Sequence, residues 1–468
     1  MKTQPFQWTA SDICDAVNGQ HLFGESPHPF LNISIDSRQV DKHSLFVAIP
    51  GDRFDTHQFI SSMIHKPIHG IVIQHDKVSE EQINLWKSKN LLCIAVPNTI
   101  KALGDLAHYQ RMKWGGFVVG ITGTNGKTSV KELTASVLTT TFNTIKTQGN
   151  FNNHIGVPKT LFQIQWQHEW AVVEMGMNHL GEIAYLAKIS KPNVGIVTNI
   201  GPGHLEGVQS IDGVTQAKRE LIQNLHKNGM AILNADDPRV MGFKDNCVCS
   251  VITYGLSSQA DISARDISET ACGSNFLLTT PQNSIAIQFP GPGRFMISNA
   301  LAASAIGYAL TIPLTEIKTA LESYEPIQGR TMIQHIDNIH IIDDTYNANP
   351  ASMKAAIDSL KALCKGYNSY FICGDMYELG THSSQYHKEI GAYAAASGVS
   401  KIFAAGSFST DVCDGAIEAG MDQNDLFCGS LDEITRQVIS MVDSGDWLLV
   451  KGSRAMKMEH IIEQIKGN

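Results

Sequence analysis

Between Gly120 and Ser129 the chain reads GITGTNGKTS, three glycines interleaved with mostly small residues ahead of a lysine and two hydroxyls. Gly123, Thr124, Asn125 and Gly126 let successive backbone N–H groups point inward, and a helix starting near Lys127 adds its positive end, so a polyphosphate can sit there. Lys127 would reach the β and γ phosphates, and Thr128 or Ser129 would hold Mg²⁺. The usual phosphate loop has a glycine five residues before the second glycine of Gly-Lys-Thr. Counted back from Gly126 that position is Ile121. The loop predicts ATP binding and leaves open whether phosphate goes to water, a hydroxyl or a carboxylate.

Two further residues follow apolar runs. Glu174 ends one in VVEMGMNHLGEI, and His204 follows another in NIGPGHLEG. Alone, each could begin a loop or sit on a surface. Two strands of one sheet would deliver both to the rim that holds the phosphate loop, where hard divalent ions bridge phosphate oxygens; both are therefore candidate Mg²⁺ ligands. Asn299 in ISNALAASAIGYAL could cap a helix or pair with an adenine edge. Arg330 in QGRTM and Asp344 in IIDDTYNANP would suit a nucleotide's phosphate and ribose hydroxyls. Near the N-terminus, Ser37, Arg38, Asp55 and His57 are polar groups interleaved with strands, open equally to a binding role and to a turn or surface role. Lys218 in TQAKRELIQNL reads from the pattern alone as a solvated helical lysine.

These residues need elements to hold them. With 468 residues, a prior of about 150 residues per domain predicts about three domains. Hydrophobic residues at 43% can fill their cores, and a formal charge of -9 offers no broad positive field for nucleic acid. Nine cysteines (14, 93, 247, 249, 272, 364, 373, 413 and 428) have neither zinc-site nor disulfide-framework spacing. With no signal-peptide core in MKTQPFQWTA and no apolar window of about 18 residues, the expectation is a soluble cytoplasmic protein with no membrane segment.

Short strands at 44–49, 70–74 and 91–96, a helix at about 98–112 and the Gly pair in KWGG mark a first unit, residues 1–113. From Phe117 the pattern is strand, loop, helix, repeated: FVVGIT, WAVVEMG, VGIVTNIG and MAILNADD alternate with helical segments, predicting a parallel sheet covered on both faces over 114–326. A second α/β series occupies 327–468, with IHIIDDTY, SYFICGDM, KIFAAG and DWLLVKGS as strands and PASMKAAIDSLKAL as a helix. The fold class is α/β, and the unusual polar residues cluster past strand ends, where open α/β sheets bind ligands.

Taken together, DSRQV, LFVAIPG, GITGTNGKTS, GNFNNHIGVP, EMGMNHLGEI, TNIGPGHLEG, AKREL, DDTYNANPASM, GDMYELG and KGSRAMKME resemble the Mur ligases, ATP-dependent amide-forming enzymes of peptidoglycan synthesis. GNFNNHIGVP, DDTYNANP and GDMYELG point within them to the member that adds D-alanyl-D-alanine to a UDP-N-acetylmuramoyl-tripeptide. The resemblance implies three domains: an N-terminal one for the UDP part, a central P-loop ATPase-like one, and a C-terminal Rossmann-like one that brings the amine. It implies ATP and Mg²⁺ as cofactors, Glu174 and His204 as metal ligands, and Lys218 as a carbamylated lysine that also binds metal, because a carbamate turns a cation that repels Mg²⁺ into an anion that attracts it. Asn299, Arg330 and Asp344 resemble ATP-contacting positions, Ser37 and Arg38 positions near the uridine, and Asn150, Asn152 and Asn153 positions facing the muramoyl substrate. His154 departs from the acid or amide expected after the paired asparagines. A monomer is expected, and no Asn-Lys-x-Asp guanine motif supports a GTPase switch.

Overall fold

The computed structural model describes residues 6–51, 54–63, 65–270 and 273–467. It contains three sheets. The first holds β1 (Gln20–Phe23), β2 (Asn32–Ser34), β3 (Ser44–Val47), β4 (Gly70–Gln74) and β5 (Leu92–Val96) in the order β1-β5-β4-β3-β2. Its strands are parallel except β1, which runs antiparallel to β5. The helix Thr99–Trp114 leads out of it, capped by Asn98 and stopped by Gly115 in a left-handed conformation. The buried Arg111 of that helix donates to the carbonyls of Ser190 and Lys191, fastening the first unit to the second.

The central sheet comprises β6 (Phe117–Thr122), β7 (Thr144–Lys146), β8 (Trp170–Glu174), β9 (Val194–Val197), β10 (Met230–Asn234), β11 (Ser250–Gly255), β12 (Ile262–Thr270), β13 (Gly273–Thr279) and β14 (Ser284–Phe289). The order is β14-β13-β12-β11-β10-β9-β6-β8-β7. From β7 to β12 all pairs are parallel, as the strand–helix alternation predicts. β12, β13 and β14 add an antiparallel meander, an extension the sequence reading does not contain. Both faces are covered: Val118 packs into one core and its neighbour Val119 into the other, and Val173 and Val172 divide in the same way. This is why the strands read as unbroken apolar runs.

The third sheet holds β15 (Met332–Ile336), β16 (Ile339–Asp344), β17 (Ser369–Cys373), β18 (Lys401–Ala405), β19 (Leu426–Gly429) and β20 (Trp447–Lys451) in the order β15-β16-β20-β17-β18-β19. Only the β15–β16 hairpin is antiparallel. The eight cysteines among the described residues are free thiols, and Cys272 lies outside those residues. No helix among the described residues is long and apolar enough to cross a membrane.

Candidate active site

β6 lies between β8 and β9, so the chain departs to opposite sides of it and a crevice opens past the strand ends. The 123–126 loop fills that point. Gly123 has φ +149, and a Cβ there would come within 1.8 Å of Thr198 Oγ1; Gly126 has φ +81, with a Cβ 2.4 Å from Asn299 Oδ1. Only glycine fits either place. The segment after β9 clamps the loop from behind. Asn125 N–H donates to Asn199 Oδ1 at 2.9 Å, Thr198 Oγ1 donates to the Asn125 carbonyl at 2.5 Å, and Thr124 Oγ1 exchanges hydrogen bonds with the backbone of Gly201. The helix Lys127–Thr139 follows at once, aiming its N-terminus into the crevice. Lys127 Nζ curls over the loop and donates to the Gly123 and Thr124 carbonyls. Burial pulls its pKa below the ordinary lysine value, and the Glu174 carboxylate opposes that shift. Thr128 and Ser129 are buried at the start of the helix.

Glu174, the last residue of β8, is paired in register with Ile121 of β6, which brings its carboxylate to the base of the loop. It is 2% exposed. Oε1 accepts from Asn152 Nδ2 at 2.7 Å, while Oε2 is buried without a hydrogen-bond partner. Lys218, on the helix Ile211–Gln223, is fully buried and its Nζ also has no hydrogen-bond partner. Burial, followed by the positive charge of Lys127, drives its pKa well below the ordinary lysine value. The solvated-lysine reading of the sequence pattern is therefore corrected: the apolar stripe of this amphipathic helix carries Lys218 inward beside Val214, Ala217 and Leu221. A buried carboxylate oxygen and a buried amine, both unpartnered beside a phosphate loop, suit a divalent cation once the amine bears a carboxylate. His204 stands past β9 with φ +57. Its Nδ1 lies 2.6 Å from Glu378 Oε2, and that contact is the foremost cause holding the Glu378 carboxyl below its usual range.

A cleft of about 1090 Å³ joins the phosphate loop, Glu174 and His204 to the C-terminal unit, and Lys218 is not among its lining residues. Its walls include Lys127, Glu174, His204, Asn299, Arg330 and Asp344, together with Asn150, Asn152, Asn153 and His154. Arg330 lies over the Tyr346 ring at 3.9 Å. Asn299 Nδ2 donates to Met296 Sδ. Asp344 is heavily engaged: Oδ1 accepts from Thr331 N–H and Oγ1, and Oδ2 pairs with Lys451 Nζ. Asn153 Oδ1 caps the turn at Ile155 and Gly156. Ser37 and Arg38 are not among the residues lining this cleft. Arg38 is 86% exposed and paired with Asp36, and the Ser37 carbonyl accepts from Lys66 Nζ. His57 is buried; its Nε2 accepts from Gln74 N–H at 3.0 Å, so Nδ1 carries the proton that Asp55 holds at 2.6 Å. That arrangement makes His57 a structural residue.

Three matches span most of the chain: the catalytic domain of the Mur ligase family over 30–111, the Mur ligase middle domain over 121–307, and the glutamate ligase domain of Mur ligases over 329–454. The chain belongs to the Mur ligase family. This Mur ligase is 36% identical over 455 residues to the UDP-N-acetylmuramoyl-tripeptide--D-alanyl-D-alanine ligase of Haemophilus influenzae, covering 95% of each chain. It is 35% identical to the Escherichia coli ligase of the same name, covering 98% of each. Its structure matches crystal structure I of MurF from Acinetobacter baumannii with TM-score 0.91 and 29% identity, over 99% of this chain and 100% of the other. Several groups of the Mur ligase cleft escape the sequence reading. Asn349 and Glu378 reach the central unit from motifs quoted above for resemblance alone, and Lys451 ends β20 beside Asp344 in parallel register. A polar residue at or within a few residues of a strand end was the available signal for each.

Proposed function

We propose that this enzyme is an ATP-dependent amide ligase that joins D-alanyl-D-alanine to UDP-N-acetylmuramoyl-tripeptide. The observation that carries the proposal is near-full-length identity of 36% to a ligase of that name, on a chain whose phosphate loop and unpartnered Glu174 oxygen line one cleft, with the buried Lys218 amine within reach of the Lys127 and Glu174 charges. A free carboxylate is a poor electrophile and an acyl phosphate a good one. The terminal tripeptide carboxylate attacks the γ-phosphorus of ATP, the bond from that phosphorus to the bridging oxygen breaks, and ADP departs. The amine then attacks the acyl carbon, the C–O bond to phosphate breaks, and a proton leaves the new amide nitrogen.

The chain's own groups bind and orient. Loop amides 123–126 and Lys127 stabilise charge on the transferring group, with Lys127 exchanging its contacts to the loop carbonyls for phosphate oxygens. Thr128, Glu174, His204 and a carbamylated Lys218 would hold Mg²⁺, which screens phosphate charge when bound. Asn299, Arg330 and Asp344 would line the nucleotide, Asn150, Asn152 and Asn153 the muramoyl peptide, and Ser37 and Arg38 the uridine end. No nucleophilic side chain is needed. Domain limits at 113/114 and 326/327, a monomeric state and a cytoplasmic location complete the proposal. The test is isotopic: tripeptide labelled with ¹⁸O in its terminal carboxylate should pass one ¹⁸O to the released phosphate, and unlabelled phosphate would overturn the acyl-phosphate route.

A further inference from the structure

The loop 374–380, GDMYELG, belongs to the third sheet's unit yet touches the central one. Glu378 Oε2 sits 2.6 Å from His204 Nδ1, off the line of an ideal hydrogen bond. Both residues occupy the left-handed region, Glu378 at φ +64 and His204 at φ +57, which a side chain with a Cβ adopts at an energetic cost. Two backbone contacts hold the arrangement. Glu206 N–H donates to the Glu378 carbonyl at 3.2 Å, and Tyr377 N–H donates to Ser453 Oγ at 2.8 Å. The His204 and Glu378 side chains are 26% and 51% exposed, so neither fills a core. An ordinary surface ion pair needs no strained backbone at both ends. The strain here aims two side chains at each other across a domain boundary.

We infer that Glu378 is the positioning residue for His204. By holding the Nδ1 proton, its carboxylate fixes the tautomer in which the Nε2 lone pair is free for a metal ion, the usual carboxylate–histidine relation at metal centres. The carboxylate comes from the C-terminal unit, so the ligating form of His204 is set when that unit is docked. Docking of the amine-bringing domain and completion of the metal site become one event. This rests on His204 being a metal ligand, as proposed above.

The first test uses the full chain labelled with ¹⁵N-histidine, free of metal and nucleotide, with His204→Gln to locate the signal. Long-range ¹H–¹⁵N NMR should show His204 protonated on Nδ1 in the parent and shifted toward the Nε2–H form in Glu378→Ala, with Glu378→Asp partly restoring the parent signal. In kinetics, Glu378→Ala should raise the Mg²⁺ concentration for half-maximal rate by about 10- to 100-fold and leave KM for the muramoyl tripeptide unchanged. Melting temperatures should match, because the side chain is half exposed. A His204 signal identical in parent and Glu378→Ala would overturn the role of Glu378 while leaving the metal assignment standing. A His204→Ala enzyme with parent activity would overturn the assignment on which that role rests.

Discussion

The side-chain amides of Asn125 and Asn349 pair reciprocally across the cleft. Asn349 Nδ2 donates to Asn125 Oδ1 at 2.6 Å, and Asn125 Nδ2 donates to Asn349 Oδ1 at 3.2 Å. Asn125 belongs to the phosphate loop. Asn349 is the N-cap of the helix Pro350–Cys364, where its Oδ1 also accepts from Ser352 N–H. A loop that must sense a nucleotide is thus tied to the first helix past β16.

Asn349→Asp separates the two roles, since a carboxylate still caps the helix but cannot donate to Asn125. Its melting temperature should stay within a few degrees of the parent, while kcat/KM for ATP falls about 10-fold, the worth of roughly 1.4 kcal/mol of lost hydrogen bonding. Asn349→Ala should lose about 1 kcal/mol of stability in addition. Steady-state kinetics beside thermal melts check both, and unchanged ATP kinetics in Asn349→Asp would leave the pair without a functional role.

Gly126→Ala should weaken ATP binding strongly without unfolding the chain. The added Cβ would lie 2.4 Å from Asn299 Oδ1 at φ +81, forcing the loop open; an affinity loss of about 100-fold corresponds to some 3 kcal/mol of strain and lost contacts. Gly115→Ala is the control: φ is +76, but nothing lies within 4 Å of its Cβ. It should cost stability alone. Calorimetric ATP titration of both variants decides the matter.

Lys218 makes stability depend on pH with a definite sign. Its folded pKa lies well below 10.5 because of burial and the nearby Lys127 charge. An unfolded chain keeps that proton until about pH 10. Across the window between the two values the unfolded state binds more protons, so this residue makes stability rise with pH. In CO₂-depleted buffer, where the amine is unmodified, urea midpoints should climb less over that window in Lys218→Met than in the parent. Lys218→Ala should be nearly inactive and partly rescued by small carboxylates, and ¹³CO₂ should give the parent a carbamate signal in ¹³C NMR that the variant lacks.

His57→Ala should destabilise the first unit and leave ATP use alone. It strands the Gln74 N–H and removes the imidazole from the Asp55 carboxylate, which keeps the backbone N–H of residue 57 and Lys77, a loss of about 2 kcal/mol. Denaturant unfolding measures the first effect and KM for ATP the second.

The parallel core of the central sheet was legible because strands buried on both faces read as continuous apolar runs; Val118 and Val119 enter different cores. The β12–β14 meander was not, because β12 is buried only over Ile262–Ala264 and exposed or half-buried beyond them, so it lacks the continuous apolar run of the parallel strands. Glu174 and His204 were singled out from their places at and past strand ends, and both line the cleft. Lys218 could be raised above a solvated lysine only by resemblance, since its burial depends on which helix face meets the sheet. Asn349 and Glu378 act by crossing between units, and no local pattern encodes a partner 224 residues away.

The most direct measurement is phosphate release from ATP with the purified enzyme and UDP-N-acetylmuramoyl-tripeptide, with and without D-alanyl-D-alanine, beside folate plus glutamate. The expected result is sustained release, matched mole for mole by new amide, only when muramoyl tripeptide and D-alanyl-D-alanine are both present. Equal release without the amine, or release driven by folate and glutamate, would contradict the assignment.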